Sequence, residues 1–144
     1  MNQYPLVYLD HVQKVYGKHI ALYDVSVNIQ PGRIIGLLGP NGSGKTTIIK
    51  LVNGLLQPTS GNVYIHGQVP SAKTKQVVSY LPDTTYLDEN MKISETLRFF
   101  QDFYKDFNVQ RAYQLLNDLH LHPEQKLKQL SKGNKEKVQL ILVM

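Results

Sequence analysis

The apolar residues of this chain follow two periods, and each predicts a different kind of element. Leu6-Val7-Tyr8-Leu9-Asp10 carries strand formers and predicts a strand, followed by Val12, Val15, Tyr16 and a turn at Gly17. Residues 20–29 predict a second strand. Alternation from Tyr23 to Ile29 sets Val25, Val27 and Ile29 on one face, and Pro31-Gly32 ends it. The apolar run Arg33-Ile34-Ile35-Gly36-Leu37-Leu38 predicts a buried strand, and residues 46–53 a helix closed by Gly54. Residues 62–67 and 76–81 read as short strands, the latter stopped by Pro82-Asp83.

Beyond residue 90 the period lengthens. Ser94 is the expected cap of a helix over 95–107 with Leu97, Phe100, Tyr104 and Phe107 on one stripe, which makes Tyr104 and Phe107 core residues. Residues 109–119 repeat the pattern through Val109, Ala112, Leu116 and Leu119. A last helix follows Leu130-Ser131-Lys132-Gly133-Asn134 and runs to Met144. Its apolar end has no C-cap glycine. Such an end packs against something that follows, so the expectation is an N-terminal portion of a longer domain, or a truncated product.

Composition narrows the classes. A chain of 144 residues with 42% hydrophobic positions can fill one core. Its longest apolar runs are too short to span a bilayer, and no N-terminal secretory signal is visible, which predicts a cytosolic chain. With no cysteine, disulfides and thiolate metal sites are excluded. The net charge is +5, and five lysines lie between Lys126 and Lys137. They are not interleaved with aromatics, so they read as a solvated face and not as a nucleic-acid surface. His66, beside a turn, reads as solvent-facing and not as a metal ligand.

The chemistry concentrates in Gly39-Pro40-Asn41-Gly42-Ser43-Gly44-Lys45-Thr46, followed by Thr47, which fits the phosphate-binding pattern G-x-x-x-x-G-K-[ST]. Gly39, Gly42 and Gly44 let the backbone approach an anion without a Cβ in the way. Successive N–H groups then converge on phosphate at the positive end of a helix. Lys45 is placed to reach the β- and γ-phosphates, and the Thr46 hydroxyl to coordinate Mg²⁺.

Together with two further motifs, this loop resembles the ATP-binding subunit of an ATP-binding-cassette (ABC) transporter, over essentially the whole chain. Tyr16, 23 positions ahead of Gly39, sits where that family stacks an aromatic on adenine. Residues 130–134 look like its signature Leu-Ser-Gly-Gly-Gln: Ser131 and Gly133 match, whereas Lys132 and Asn134 depart. The resemblance implies that Ser131, Gly133 and Asn134 contact the γ-phosphate held by a second ATP-binding subunit, identical or not. After 77–81 and Pro82 the family carries a glutamine touching Mg²⁺ and the attacking water. Asp83 stands there, a candidate metal ligand or catalytic acid. Tyr80-Leu81-Pro82-Asp83 is similar to a subset of bacterial exporters.

The resemblance implies an α/β P-loop nucleoside triphosphate hydrolase fold, apparently truncated. Its parts would be an antiparallel β-subdomain at 1–30 leaning on a parallel core, a nucleotide-binding core at 31–89, a helical subdomain at 90–130 and the signature helix at 131–144. The intact protein would hydrolyse ATP to drive transport, as an exporter, at the cytoplasmic face of the membrane, with membrane subunits docking near 83–100. The alternative is a soluble nucleotide switch of the same family. The family's metal-binding Asp, general-base Glu and γ-phosphate His would follow residue 144. No catalytic set is therefore complete beyond the candidates Lys45 and Asp83, and the sheet edge and the face of residues 138–144 are expected to lie uncovered.

Overall fold

The computed structural model describes residues 4–82, 84 and 86–144. The chain divides into two compact units, Met1–Val78 and Ser79–Met144.

The first unit is built on a hairpin. Strand β1 (Val7–Tyr16) pairs antiparallel with β2 (His19–Ile29), from Val7 opposite Ile29 to Tyr16 opposite His19. The two residues between are Gly17, whose φ of 58 suits a tight turn, and Lys18. The β-subdomain drawn at residues 1–30 needs correcting, because it takes a third strand from further along. β3 (Ser60–Ile65) lies on the other side of β1, with Leu9 opposite Val63, and the order is β2-β1-β3. Helix α1 (Lys45–Val52) covers this sheet through Leu51, which packs with Leu9, Val12, Leu22 and Val63. The pairing slips at His11 and Asp24, both in left-handed conformation, a β-bulge that bends the hairpin.

Two expected strands are absent among the described residues. Residues 33–38 join no ladder, and Ile34 and Leu38 stand 103% and 92% exposed. Residues 76–81 form no strand either. A 3₁₀ turn at Thr74–Gln76 stands at their start, and Val77 is exposed. Every described strand pairing is antiparallel, so the expected parallel core is not found among these residues. An apolar run records a tendency to be buried, but a strand also needs a neighbour for its N–H and C=O groups.

The second unit is helical: α2 (Ile93–Phe103), α3 (Val109–Asp118) and α4 (Lys132–Val143), with a 3₁₀ turn at Leu127–Gln129. Ile93, Leu97, Ala112, Leu116, Leu127, Val138 and Ile141 are buried in one core. α2 starts earlier than expected and does not use Ser94 as its cap. The Lys92 N–H donates to Glu95 Oε2 at 2.7 Å, while the Ser94 hydroxyl donates to Glu124 at 3.2 Å. The helix stops at Phe103. Tyr104 is therefore not core: it is 55% exposed and stacks on Phe100 at 5.4 Å, whereas Phe107 packs as expected. Nor is the face of residues 138–144 uncovered. Val138, Ile141 and Leu142 lie in the core, and Leu140 and Met144 are exposed.

Candidate functional site

The phosphate loop is seated on the hairpin. Gly44, with φ 90, caps α1, and its carbonyl accepts from the Ile48 N–H at 2.9 Å. A Cβ at Gly44 would stand 2.7 Å from the Ala21 carbonyl and 2.5 Å from Leu22 Cδ2. Only glycine lets the loop lie this close to β2. At Gly39 a Cβ would stand 2.7 Å from Ser43 Oγ. The backbone thus forms a side-chain-free cradle at the N-terminus of α1, which fits phosphate.

Lys45 holds the loop together. Its ammonium donates to the carbonyls of Gly39 at 2.8 Å and Pro40 at 2.6 Å, and lies 3.5 Å from Ser43 Oγ. The charge is therefore carried at the cradle's mouth by the loop's own acceptors. Thr46 is exposed one residue on, and its hydroxyl has no hydrogen-bond partner among the described residues. A hydroxyl oxygen is a hard donor of the kind Mg²⁺ accepts.

A cavity of about 280 Å³ opens beside the loop, lined by Tyr16, His19, Ala21, Asn41, Gly42, Gly44, Lys45, Thr46 and Thr47. Tyr16 and the loop, far apart in sequence, thus share one wall. Tyr16 is 45% exposed, and the Lys14 ammonium lies 5.1 Å from its ring centroid. His19 was not singled out from the sequence. The available signal was its place opposite Tyr16 across a two-residue turn.

Ser131, Gly133 and Asn134 belong to the second unit. Ser131 caps α4, its hydroxyl accepting from the Asn134 N–H at 3.3 Å, and nothing stands within 4 Å of a Cβ placed on Gly133. The ammonium of Lys132 is 4.0 Å from Glu136, whereas that of Lys135 is 2.5 Å from Glu89. Asp83 lies outside the described residues. His66 is exposed, and among the described residues no group of three or more His, Cys, Asp or Glu could hold a metal. No described helix is long and apolar enough to cross a membrane.

Comparison with known proteins extends these features. The ABC transporter family profile matches residues 22–144. The SkfA peptide export ATP-binding protein SkfE of Bacillus subtilis is 34% identical over 94% of this chain and 59% of its own length. The zinc import ATP-binding protein ZnuC of Pasteurella multocida is 34% identical over 94% of this chain and 49% of its own. The chain therefore spans about half to three-fifths of these relatives, and they include both export and import proteins. A solved ATP-binding subunit of an ABC transporter superposes with a TM-score of 0.82 at 28% identity, over 96% of this chain and 61% of that one. A bacterial ABC transporter cassette described as dimeric shares the fold, with a TM-score of 0.78 at 24% identity over 96% of this chain and 68% of that one. Profile, fold and phosphate loop agree: the chain belongs to the ABC transporter family, among its ATP-binding subunits.

Proposed function

We propose that the chain binds ATP with Mg²⁺ in the cavity between Tyr16 and the phosphate loop, and that the whole protein uses hydrolysis there to power transport across a membrane. The observation that carries this reading is the glycine cradle at Gly39 and Gly44, closed by the Lys45 ammonium, in one cavity with Tyr16. The loop amides and Lys45 bind the β- and γ-phosphates, Thr46 offers its hydroxyl to the metal, and Tyr16 takes the adenine face. When bound, Mg²⁺ neutralises phosphate charge as transfer proceeds.

Supporting the rest of the reading, Phe99, Phe103 and Tyr104 stand exposed on and after α2, with Phe99 and Phe103 rings 4.5 Å apart. We assign this aromatic patch to a membrane subunit docking from the bilayer side, with the protein at the cytoplasmic face. Ser131, Gly133 and Asn134 are assigned to a second ATP-binding subunit, and Asp83 to the metal. Export is the direction suggested by Tyr80-Leu81-Pro82-Asp83 alone. A soluble nucleotide switch is the rival, and co-purification with a polytopic membrane protein separates the two.

The primary test is thermal. ATP with Mg²⁺ at about 100 times its Kd should stabilise the protein by roughly 2.7 kcal/mol. Lys45→Ala should abolish most of that shift, and an unchanged shift in the variant would sink the assignment. The 144-residue chain should nevertheless release no phosphate above the Lys45→Ala background. Among the described residues, the nine that line the cavity include no carboxylate that could take a proton from water. Turnover of about 1 s⁻¹ or more, an ordinary enzyme rate, would show that another acid serves as base.

A further inference from the structure

The geometry points to His19 as a positioning residue for the α-phosphate of the bound nucleotide. This inference rests on the nucleotide reading of the cavity above and adds to it a residue that the loop pattern does not contain.

Three placements carry it. Tyr16 and His19 are direct cross-strand partners at the end of the hairpin. Gly44 lies against the Ala21 carbonyl, so the phosphate cradle is seated on β2 two residues beyond His19. Residues two apart on a strand share a face, about 6.6 Å apart. His19 and Ala21 indeed line the same cavity, together with Tyr16, Lys45 and Thr47. In a nucleoside triphosphate the ribose and α-phosphate separate the base from the β- and γ-phosphates. With the base on Tyr16 and the terminal phosphates on the loop, the α-phosphate falls along the part of the wall that His19 supplies. An imidazole offers an N–H donor there when neutral and two donors with a charge when protonated.

The charge environment favours an anion. Among the described residues, Tyr16 and Lys45 lie on the cavity wall, Lys14 near the Tyr16 ring, and Lys18 in the turn. None of the four is a carboxylate. A phosphate on this wall therefore meets donors and ammonium groups there and no carboxylate from these four. The site is open to solvent, so the effect is modest.

The test measures ATP, ADP, AMP and adenosine by competition against a fluorescent ATP analogue, using the purified chain and its His19→Ala, His19→Gln and Lys45→Ala variants. His19→Ala should weaken ATP, ADP and AMP alike, by about three- to tenfold, and leave adenosine unchanged. His19→Gln keeps an N–H donor at this place on the wall and should lose less than His19→Ala. Affinities for all four ligands unchanged from the original chain in His19→Ala would overturn the proposal. So would a loss that includes adenosine, which would place the imidazole on the base or ribose. Failure of the nucleotide reading looks different: Lys45→Ala would then bind ATP as the original chain does, or the original chain would not bind at all, and the second result removes the His19 proposal too.

Discussion

The two units of the molecule solve burial in opposite ways. In the helical unit, Leu97, Leu116, Leu127, Val138 and Ile141 close on one another, and the helices satisfy their own backbone groups. In the sheet unit, β1, β2, β3 and α1 enclose a small core, yet Ile34, Ile35, Leu37 and Leu38 remain exposed beside the loop that makes the site. The difference is one of hydrogen bonding. A helix needs only an apolar partner, whereas a strand also needs another strand at its edge. The phosphate loop thus follows a segment that joins no ladder among the described residues and precedes a helix packed on its sheet.

Core substitution is the strongest way to break this comparison. Leu97→Ala removes a fully buried side chain and should cost about 2–5 kcal/mol in urea unfolding. Leu38→Ser changes a side chain already in water and should stay within about 0.5 kcal/mol, while reducing self-association. Similar losses from both would show that residues 33–38 are buried in solution.

A weaker effect sharpens the functional side. If Tyr16 stacks on adenine, Tyr16→Ala should lose about 1–3 kcal/mol of ATP affinity, as base stacking on aromatics does elsewhere. Tyr16→Phe should be nearly neutral, since the ring face is kept. Because Tyr16 is half-exposed at a hairpin end, neither change should unfold the sheet. Equal losses for Phe and Ala would point to the hydroxyl instead.

The sequence was most legible where the code is local. Helix α3, the glycine-closed helix after the loop and the Ser131 cap all follow from spacing and capping residues within a few positions. The loop was legible because its chemistry demands glycine and lysine at fixed intervals. Legibility failed where pairing decides. Residues 33–38 carry the right pattern without a described partner, and β3 joins a strand more than forty residues upstream, which no local pattern announces. The cap of α2 was missed because Glu95 supplies the acceptor from inside the helix, leaving Ser94 free to reach Glu124. His19 was missed because its relation to the site exists only through the hairpin register.

The smallest expected effect concerns the bulge that bends the sheet unit. His11 and Asp24 face each other across β1 and β2 with φ of 47 and 49, and His11 Nδ1 lies 2.6 Å from Asp24 Oδ1. The hydrogen bond to Asp24, and then its charge, raise the His11 pKa above its ordinary value of 6.5. A proton therefore favours the folded chain. This contribution is fully present below about pH 6.5 and is lost as the pH rises through the higher folded value. Both side chains are mostly exposed, at 74% and 58%, so water and salt screen the pair and the effect is slight. Asp24→Asn should lower the His11 titration midpoint seen by NMR. It should also erase the part of the thermal midpoint that falls between about pH 6 and pH 8 in the original chain. Matching pH profiles for the two proteins would mean that the bulge is held by its backbone and by the Ser26 hydroxyl, which accepts from the His11 N–H at 3.1 Å, and that the ion pair adds nothing.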